Sequence, residues 1–145
     1  MPRGASRASS LNPNRFLKFI EEVIRESRIE DEVFVRRFIS ALFFVLFNYW
    51  AAKHWDSGAR GKGPRQDYFP YTLFVKDMLA KGLDRAVFFI YLRRTVADHY
   101  VLNPTIVRIW NEALSRILGE RATVHITSSD LVIAIEMAKE ILNNI

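Results

Sequence analysis

Apolar residues recur every three or four positions along most of this chain, which is the spacing of one face of an α-helix. Asn12-Pro13 is a favourable helix start, because proline loses little at a position where its missing N–H would have no partner. A second helix is predicted to follow Asp31 and to continue to about Trp55, and a shorter one to run over residues 72–80. The Gly, Pro and basic residues of segment 56–71 predict a loop between these two helices.

The second half of the chain continues the helical pattern. Asp84 can cap a fourth helix that extends to about Leu102. Asn103-Pro104 is predicted to begin the next helix, which ends at Gly119. Ser128-Ser129 is predicted to cap a last, amphipathic helix. The helix that ends at Gly119 has these apolar positions on one face: Ile106, Trp110, Ala113 or Leu114, and Ile117.

These elements predict an all-α fold, a mostly antiparallel bundle of about five helices that forms a single domain over residues 13–145. No segment longer than residues 123–126 alternates with the period of a β-strand. Residues 1–12 are small, polar and basic, with no apolar stretch behind them. They are therefore predicted to be a flexible tail and not a signal peptide.

The fourth helix is apolar on two faces, and such a helix needs burial on two sides. In a single-layer bundle the core of the same chain covers one face, so the second face predicts a subunit interface in a symmetric homodimer. The first face holds Ala86, Ile90, Arg93, Ala97 and Val101, and the second holds Phe88, Leu92, Thr95, His99 and Leu102.

The most apolar stretch of the chain, residues 38–52, has Arg36 and Arg37 before it and Lys53 and His54 after it. It is shorter than the roughly 20 apolar residues that a membrane-spanning helix needs. We therefore predict a buried core helix and no membrane, and keep a membrane-associated helical protein as the less favoured alternative.

The amino-acid composition limits the kinds of catalysis and binding that the protein can carry out. The 145 residues are 50% hydrophobic, carry a net charge of +5 and include no cysteine. The missing cysteine excludes disulfides and thiol catalysis and fits a cytoplasmic protein. The positive charge favours a polyanionic partner such as nucleic acid or an anionic membrane. Neither His54 nor His125 has a second ligand at metal-binding spacing, so neither a metal nor a cofactor is expected.

Three cations lie in the predicted loop at Arg60, Lys62 and Arg65. They are interpreted first as solvated charges and second as contacts to an RNA backbone. The Gly-Lys pair in this loop is followed by neither Ser nor Thr, and no strand precedes it, so the segment is not a phosphate-binding P-loop.

The segment "LRRTVADHYVL", residues 92–102, places Arg93 and Arg94 ahead of His99 on the fourth helix. One interpretation is structural: Arg94 and Asp98, four residues apart, form a surface ion pair that contributes about 0.2–0.5 kcal/mol. Asp98 could instead orient the imidazole of His99. The helical repeat separates Arg94 and His99 by about 140°, so the two side chains would converge poorly on a single helix.

This segment resembles the HEPN family (higher eukaryotes and prokaryotes nucleotide-binding), whose members are small helical bundles with Arg, four to six residues and then His on the third long helix. The matching residues are Arg94-Thr-Val-Ala-Asp-His99, or Arg93 with five residues between. The closing segment "SSDLVIAIEMAKEILNNI" is also similar to the last helix of the family, and the resemblance covers about residues 13–145. His99 stands where members paired with nucleotidyltransferases often have the tyrosine of Ala-Asp-Tyr. Tyr100 follows it directly, whereas the best-defined toxins of the family have His-x-Tyr.

The resemblance implies a metal-independent endoribonuclease of the toxin type. His99 would move a proton to or from the ribose 2′-hydroxyl or the leaving oxygen, since its ordinary pKa lies near neutrality. Arg94 or Arg93 would hold the phosphate through a planar guanidinium, and Asp98 would orient one of these groups. Two copies across a dimer axis would combine their residues into one composite site.

The resemblance also allows a function without catalysis. The chain would then be a nucleotide-binding or dimerisation module partnered by a nucleotidyltransferase, which would act as the antitoxin. A buried and packed His99 ring would favour this alternative over the ribonuclease.

Overall fold

The computed structural model of the chain describes residues 12–27, 31–54 and 71–145. Most of this part of the chain is helical, as predicted, but a short two-stranded sheet interrupts the helices. The predicted tail, residues 1–12, lies outside the described residues apart from Asn12. The three loop cations also lie outside them; these are Arg60, Lys62 and Arg65. The elements are α1 (Pro13–Ser27), α2 (Glu32–Lys53), α3 (Tyr71–Ala80), α4 (Asp84–His99), β1 (Thr105–Arg108), α5 (Glu112–Leu118), β2 (Arg121–Val124) and α6 (Ser129–Leu142).

Local sequence signals account for several helix ends. The Asn12 side chain accepts a hydrogen bond from the backbone N–H of Asn14 at 2.9 Å, and the Asp31 side chain accepts one from the N–H of Val33 at 2.7 Å, which confirms both predicted starts. The predicted cap at Asp84 is wrong. Asp84 is the first residue of α4, and Leu83 before it offers no side-chain acceptor.

The centre of the fold is the antiparallel pair of α2 and α4. Arg37 near the start of α2 donates to the Ala97 carbonyl near the end of α4, whereas Phe43 further along α2 meets Tyr91 further back on α4, with ring centres 6.2 Å apart. Their order along the two helices is opposite, so the two helices run in opposite directions. The stretch predicted to be a core helix lies within α2, whose buried apolar side chains are Val35, Ile39, Leu42, Phe43, Leu46 and Trp50.

Within α4, apolar residues of both predicted faces are buried by other elements of the same chain. α4 contacts α2, α3, α6 and both strands, so it is surrounded and does not belong to a single-layer bundle. Ala86 and Ile90 on one face are buried, and so is Phe88 on the other. Within the helix the two-faced pattern is therefore satisfied by one protomer and no longer indicates a subunit interface. Val101 and Leu102, the last predicted members of the two faces, lie beyond the helix end and are exposed.

The prediction of one helix from Pro104 to Gly119 is wrong. Thr105–Arg108 is a strand that pairs antiparallel with Arg121–Val124, and only Glu112–Leu118 is helical. Val107 and Ile109 are buried while Ile106 and Trp110 are exposed, which is the alternation of a strand. Of the residues that suggested a helical stripe, Ile106, Trp110 and Ile117 are exposed, whereas Leu114 is buried. A short apolar run fits both periods, and burial decides between them.

One described helix, α2, has the length and composition of a membrane-spanning segment. Fewer than half of the residues in its most apolar 18-residue window are buried against the rest of the chain. The buried apolar side chains of α2 belong to the same hydrophobic core as side chains of α1, α4 and α6. The absence of a membrane stays a prediction.

Candidate functional site

The candidate site lies at the carboxyl end of α4. This helix ends at His99, three residues before the end that the sequence predicted. The backbone N–H of Tyr100 donates to the Val96 carbonyl and closes the last turn. The last carbonyls of a helix lack partners within it and carry partial negative charge. Cationic side chains are therefore stabilised at this end.

Arg36 of α2 provides one such cation. Its guanidinium donates to the carbonyls of Val96 at 3.1 Å and Val101 at 3.3 Å, and it also donates to the carbonyl of Tyr100. Its Nε lies 2.9 Å from a carboxylate oxygen of Glu32. With only 11% of its side chain exposed, Arg36 fixes the end of α4 against the start of α2.

Arg37 provides a second cation at the same helix end. It donates to the Ala97 carbonyl at 2.7 Å and lies 3.4 Å from Oδ1 of Asp98. Unlike Arg36, it exposes 58% of its side chain. Arg37 can therefore reach a ligand from solvent while it remains beside the end of α4.

Asp98 joins residues of both helices. Ser40 of α2 donates its hydroxyl to Oδ1 of Asp98 at 2.7 Å, and Arg37 approaches the same oxygen. Oδ2 of Asp98 lies 3.0 Å from Nε of Arg94. One carboxylate thus serves two arginines, which leaves this three-residue group, Arg37, Arg94 and Asp98, with a net charge of +1.

Arg94 is largely enclosed, with 12% of its side chain exposed. Its guanidinium carbon lies 5.0 to 5.5 Å from the ring centres of Phe44, Phe43 and Tyr71, so aromatic faces surround the cation. Its Nε is close to Asp98 but outside hydrogen-bond geometry, so the pair is held by charge attraction. Arg94 therefore acts on Asp98 more directly than on solvent.

Arg93 belongs to a different contact. Its Nε lies 3.2 Å from Oδ2 of Asp130 in α6, and its guanidinium carbon lies 3.7 Å from the ring centre of Phe89. Asp130 is buried and also accepts from the N–H of Thr127 at 2.9 Å. Arg93 thus links α4 to the start of α6, and no described contact joins it to Asp98.

His99 is the last residue of α4 and is exposed. Within the described part of the chain, no side chain or carbonyl makes a hydrogen bond with its ring. The structure thus brings Arg94 and Asp98 together and leaves His99, next to Asp98 on the chain, without a described hydrogen bond or ion pair to either. Among the described residues, no group of three or more His, Asp and Glu side chains could hold a metal ion.

Arg36 and Arg37 are the site residues that sequence reasoning missed. They were noted only as charges that precede the apolar stretch of α2. Adjacent positions on a helix point about 100° apart, so two consecutive arginines can serve two different partners. That spacing is the signal from which two roles could have been inferred, but only the pairing of α2 with α4 identifies the partners.

Asn103 connects this site to the hairpin. Its side-chain amide donates to the Ile126 carbonyl and its side-chain oxygen accepts from the Ile126 N–H, both at 2.8 Å. The amide also donates to Glu32. That hydrogen bond is the main cause of a lowered pKa at Glu32, and Arg36 lowers the pKa further. Tyr100 adds a second link, because its hydroxyl accepts from the Arg108 N–H at 3.3 Å.

Comparisons of this chain with models of known protein families, with curated protein sequences and with solved structures give no match.

Proposed function

We propose that this chain is a HEPN-like, metal-independent endoribonuclease of the toxin type that acts as a homodimer. His99 transfers the proton, and the cationic group of Arg37, Arg94 and Asp98 offsets the charge that develops on the phosphate. The observation that carries the proposal is the exposed His99 at the helix end where two arginines share one carboxylate. A proton-transfer group is thereby accessible to solvent next to excess positive charge.

In this proposal Arg37 and Arg94 have different roles. Arg37 is exposed and meets the phosphate directly, whereas Arg94 holds Asp98 in place from within the aromatic cluster. Arg93, which pairs with Asp130, takes a structural part. Of the residues that the family resemblance implied, His99 therefore keeps the catalytic role, and Asp98 and Arg94 take positioning roles.

A homodimer completes the proposed site. The cations of one protomer act with His99 of the other, because Arg94 and His99 point in different directions on the same helix. Val101 and Leu102, which directly follow the site, are 92% and 72% exposed. Large apolar side chains with that exposure favour a partner surface at this place.

The alternative function is a non-catalytic module that binds a nucleotide or a nucleotidyltransferase. The near-complete enclosure of Arg94 favours it, because a guanidinium between aromatic rings already has its electrostatic partners. The two functions differ in what His99 does. In the alternative, His99 takes no part in any reaction.

Purified wild-type protein and His99→Ala, tested on several single-stranded RNAs, distinguish the two functions. We expect the variant to lose about a hundred- to ten-thousand-fold in cleavage rate while it unfolds at the same temperature, since an exposed side chain contributes little to the core. His125→Ala, at another exposed histidine, is the control and should cleave normally. A chelator should change nothing. Wild-type cleavage no faster than that of His99→Ala would eliminate the enzyme and leave the binding module.

A further inference from the structure

The hairpin of β1 and β2 presents an outward face of mixed aromatic and cationic character. In its register Ile106 is opposite Thr123 and Arg108 is opposite Arg121, so each pair shares one side of the sheet. Val107 and Ile109 point inward and are buried, which places Trp110 on the outward side. We call this surface the hairpin face; its residues are Ile106, Arg108, Trp110, Arg121 and Thr123.

The charges on the hairpin face are not balanced. Arg108 and Arg121 are directly opposite each other, and like charges at such positions repel. Among the residues that the structure describes, neither arginine forms an ion pair with an acidic side chain. An anion that binds both arginines would remove this repulsion.

Trp110 gives the face a flat apolar surface. It is 78% exposed, and the guanidinium carbon of Arg108 lies 4.3 Å from its ring centre. The cation limits the motion of the indole and leaves most of the ring open to solvent. An exposed aromatic ring beside cations is the arrangement on which single-stranded nucleic acids stack their bases.

The same features disfavour a second copy of the chain on this face. A symmetric contact of the face with itself would bring four arginines together, at a cost that no described acidic residue of the face offsets. A polyanion with flat bases satisfies both features at once, because its phosphates meet the arginines and a base covers Trp110.

We propose that the hairpin face binds single-stranded RNA, with a base stacked on Trp110 and phosphates held by Arg108 and Arg121. That the polymer is RNA rests on the proposed function. That this surface binds a polyanion rests on Arg108, Arg121 and Trp110 of the hairpin face. The face lies close to the candidate site, because Tyr100, directly after His99, accepts a hydrogen bond from the backbone of Arg108. RNA on this face would therefore be held near His99.

Fluorescence anisotropy with labelled oligoadenylate, in the His99→Ala background so that the probe stays intact, tests the proposal. Trp110→Ala should weaken binding by about five- to 150-fold, the range for one stacked base, and Trp110→Phe should retain most of the affinity. Phe34→Ala removes another exposed aromatic, on α2, and should bind normally.

Replacing Arg108 and Arg121 together should lower the slope of log affinity against log salt concentration by about 1.4, which corresponds to two single-strand phosphates. Replacing the exposed Arg15 and Arg85 together, as the matched control, should change it less.

Unchanged binding by Trp110→Ala would overturn the proposal. If that variant also changed a dimer into a monomer, the face would be a contact between copies instead. The proposed function can fail separately. Wild-type protein that cuts no RNA but binds it through Trp110 refutes the ribonuclease and keeps the hairpin face. Wild-type protein that cuts RNA, with a Trp110→Ala variant that binds it equally well, keeps the ribonuclease and refutes the hairpin face.

Discussion

Nε of Arg94 lies 3.0 Å from Oδ2 of Asp98, one turn further along the same helix. Spacing alone suggests an ordinary surface ion pair, but the side chains are only 12% and 16% exposed. A pair at the same spacing on α5, Arg116 with Glu112, is 74% and 81% exposed. The two pairs share a sequence pattern and differ in environment, so they should differ in their contribution to stability.

Asp98→Asn should lower the free energy of unfolding by about 1–3 kcal/mol. The amide can still accept the hydroxyl of Ser40, but it leaves Arg94 enclosed without an acidic partner. Glu112→Gln is the matched control and should cost less than about 1 kcal/mol, since exposed pairs contribute little. Urea denaturation measures both. Equal losses in the two variants would show that enclosure does not strengthen the Arg94 pair.

Arg37→Ala should lower the rate of RNA cleavage by roughly 100-fold, because the other arginines at this helix end, Arg36 and Arg94, are enclosed and cannot take its place at the phosphate. Its structural cost should be small, about 0.5–1.5 kcal/mol for the lost hydrogen bond to the Ala97 carbonyl. Arg85→Ala, at an exposed position on α4, is the control. A normal cleavage rate in Arg37→Ala would remove this residue from the site.

The same variant tests whether the site is shared between protomers. A mixture of equal amounts of Arg37→Ala and His99→Ala should regain roughly a quarter of the wild-type activity. Random pairing makes half of the dimers heterodimers, and one of the two composite sites in each heterodimer is intact. Sites formed within single protomers would regain nothing. Light scattering that detects only the 16.9 kDa monomer would exclude the shared site altogether.

Tyr91 should make the fold sensitive to high pH. Burial, followed by the neighbouring Tyr71, raises its pKa from 10 to about 12. The unfolded chain therefore loses this proton at lower pH than the folded chain does, so stability is complete below pH 10 and falls as the pH rises towards 12. Tyr91→Phe should reduce this fall, as measured by the denaturant midpoint at a series of alkaline pH values. A fall of the same steepness in the variant would contradict the assignment to Tyr91.

The positions of the long helices follow from sequence alone. Asn12 and Asp31 cap helices as predicted, because a cap is a contact between residues two or three apart and needs no tertiary structure. The contribution of α2 to the core was also predictable, because so many apolar side chains in succession cannot all remain in water.

The hairpin and the surroundings of α4 were not predictable in this way. The stretch from Ile106 to Trp110 fits both a helix and a strand, and the choice depends on β2, which follows more than ten residues later. A helix with two apolar faces can meet a partner chain or its own chain, and only the packing of α2, α3 and α6 around α4 decides between them.

For the candidate site, the sequence determined which residues stand on one helix end, and the tertiary structure decided what each can do. The order Arg93, Arg94, Asp98 and His99 is a property of the chain, and so is the spacing that allows Arg94 to meet Asp98. Arg93 pairs with Asp130 because α6 packs against α4, and Arg37 lies beside Asp98 because α2 packs against α4. Local spacing specifies contacts within a helix, but burial and charge come from whichever distant segments pack against it.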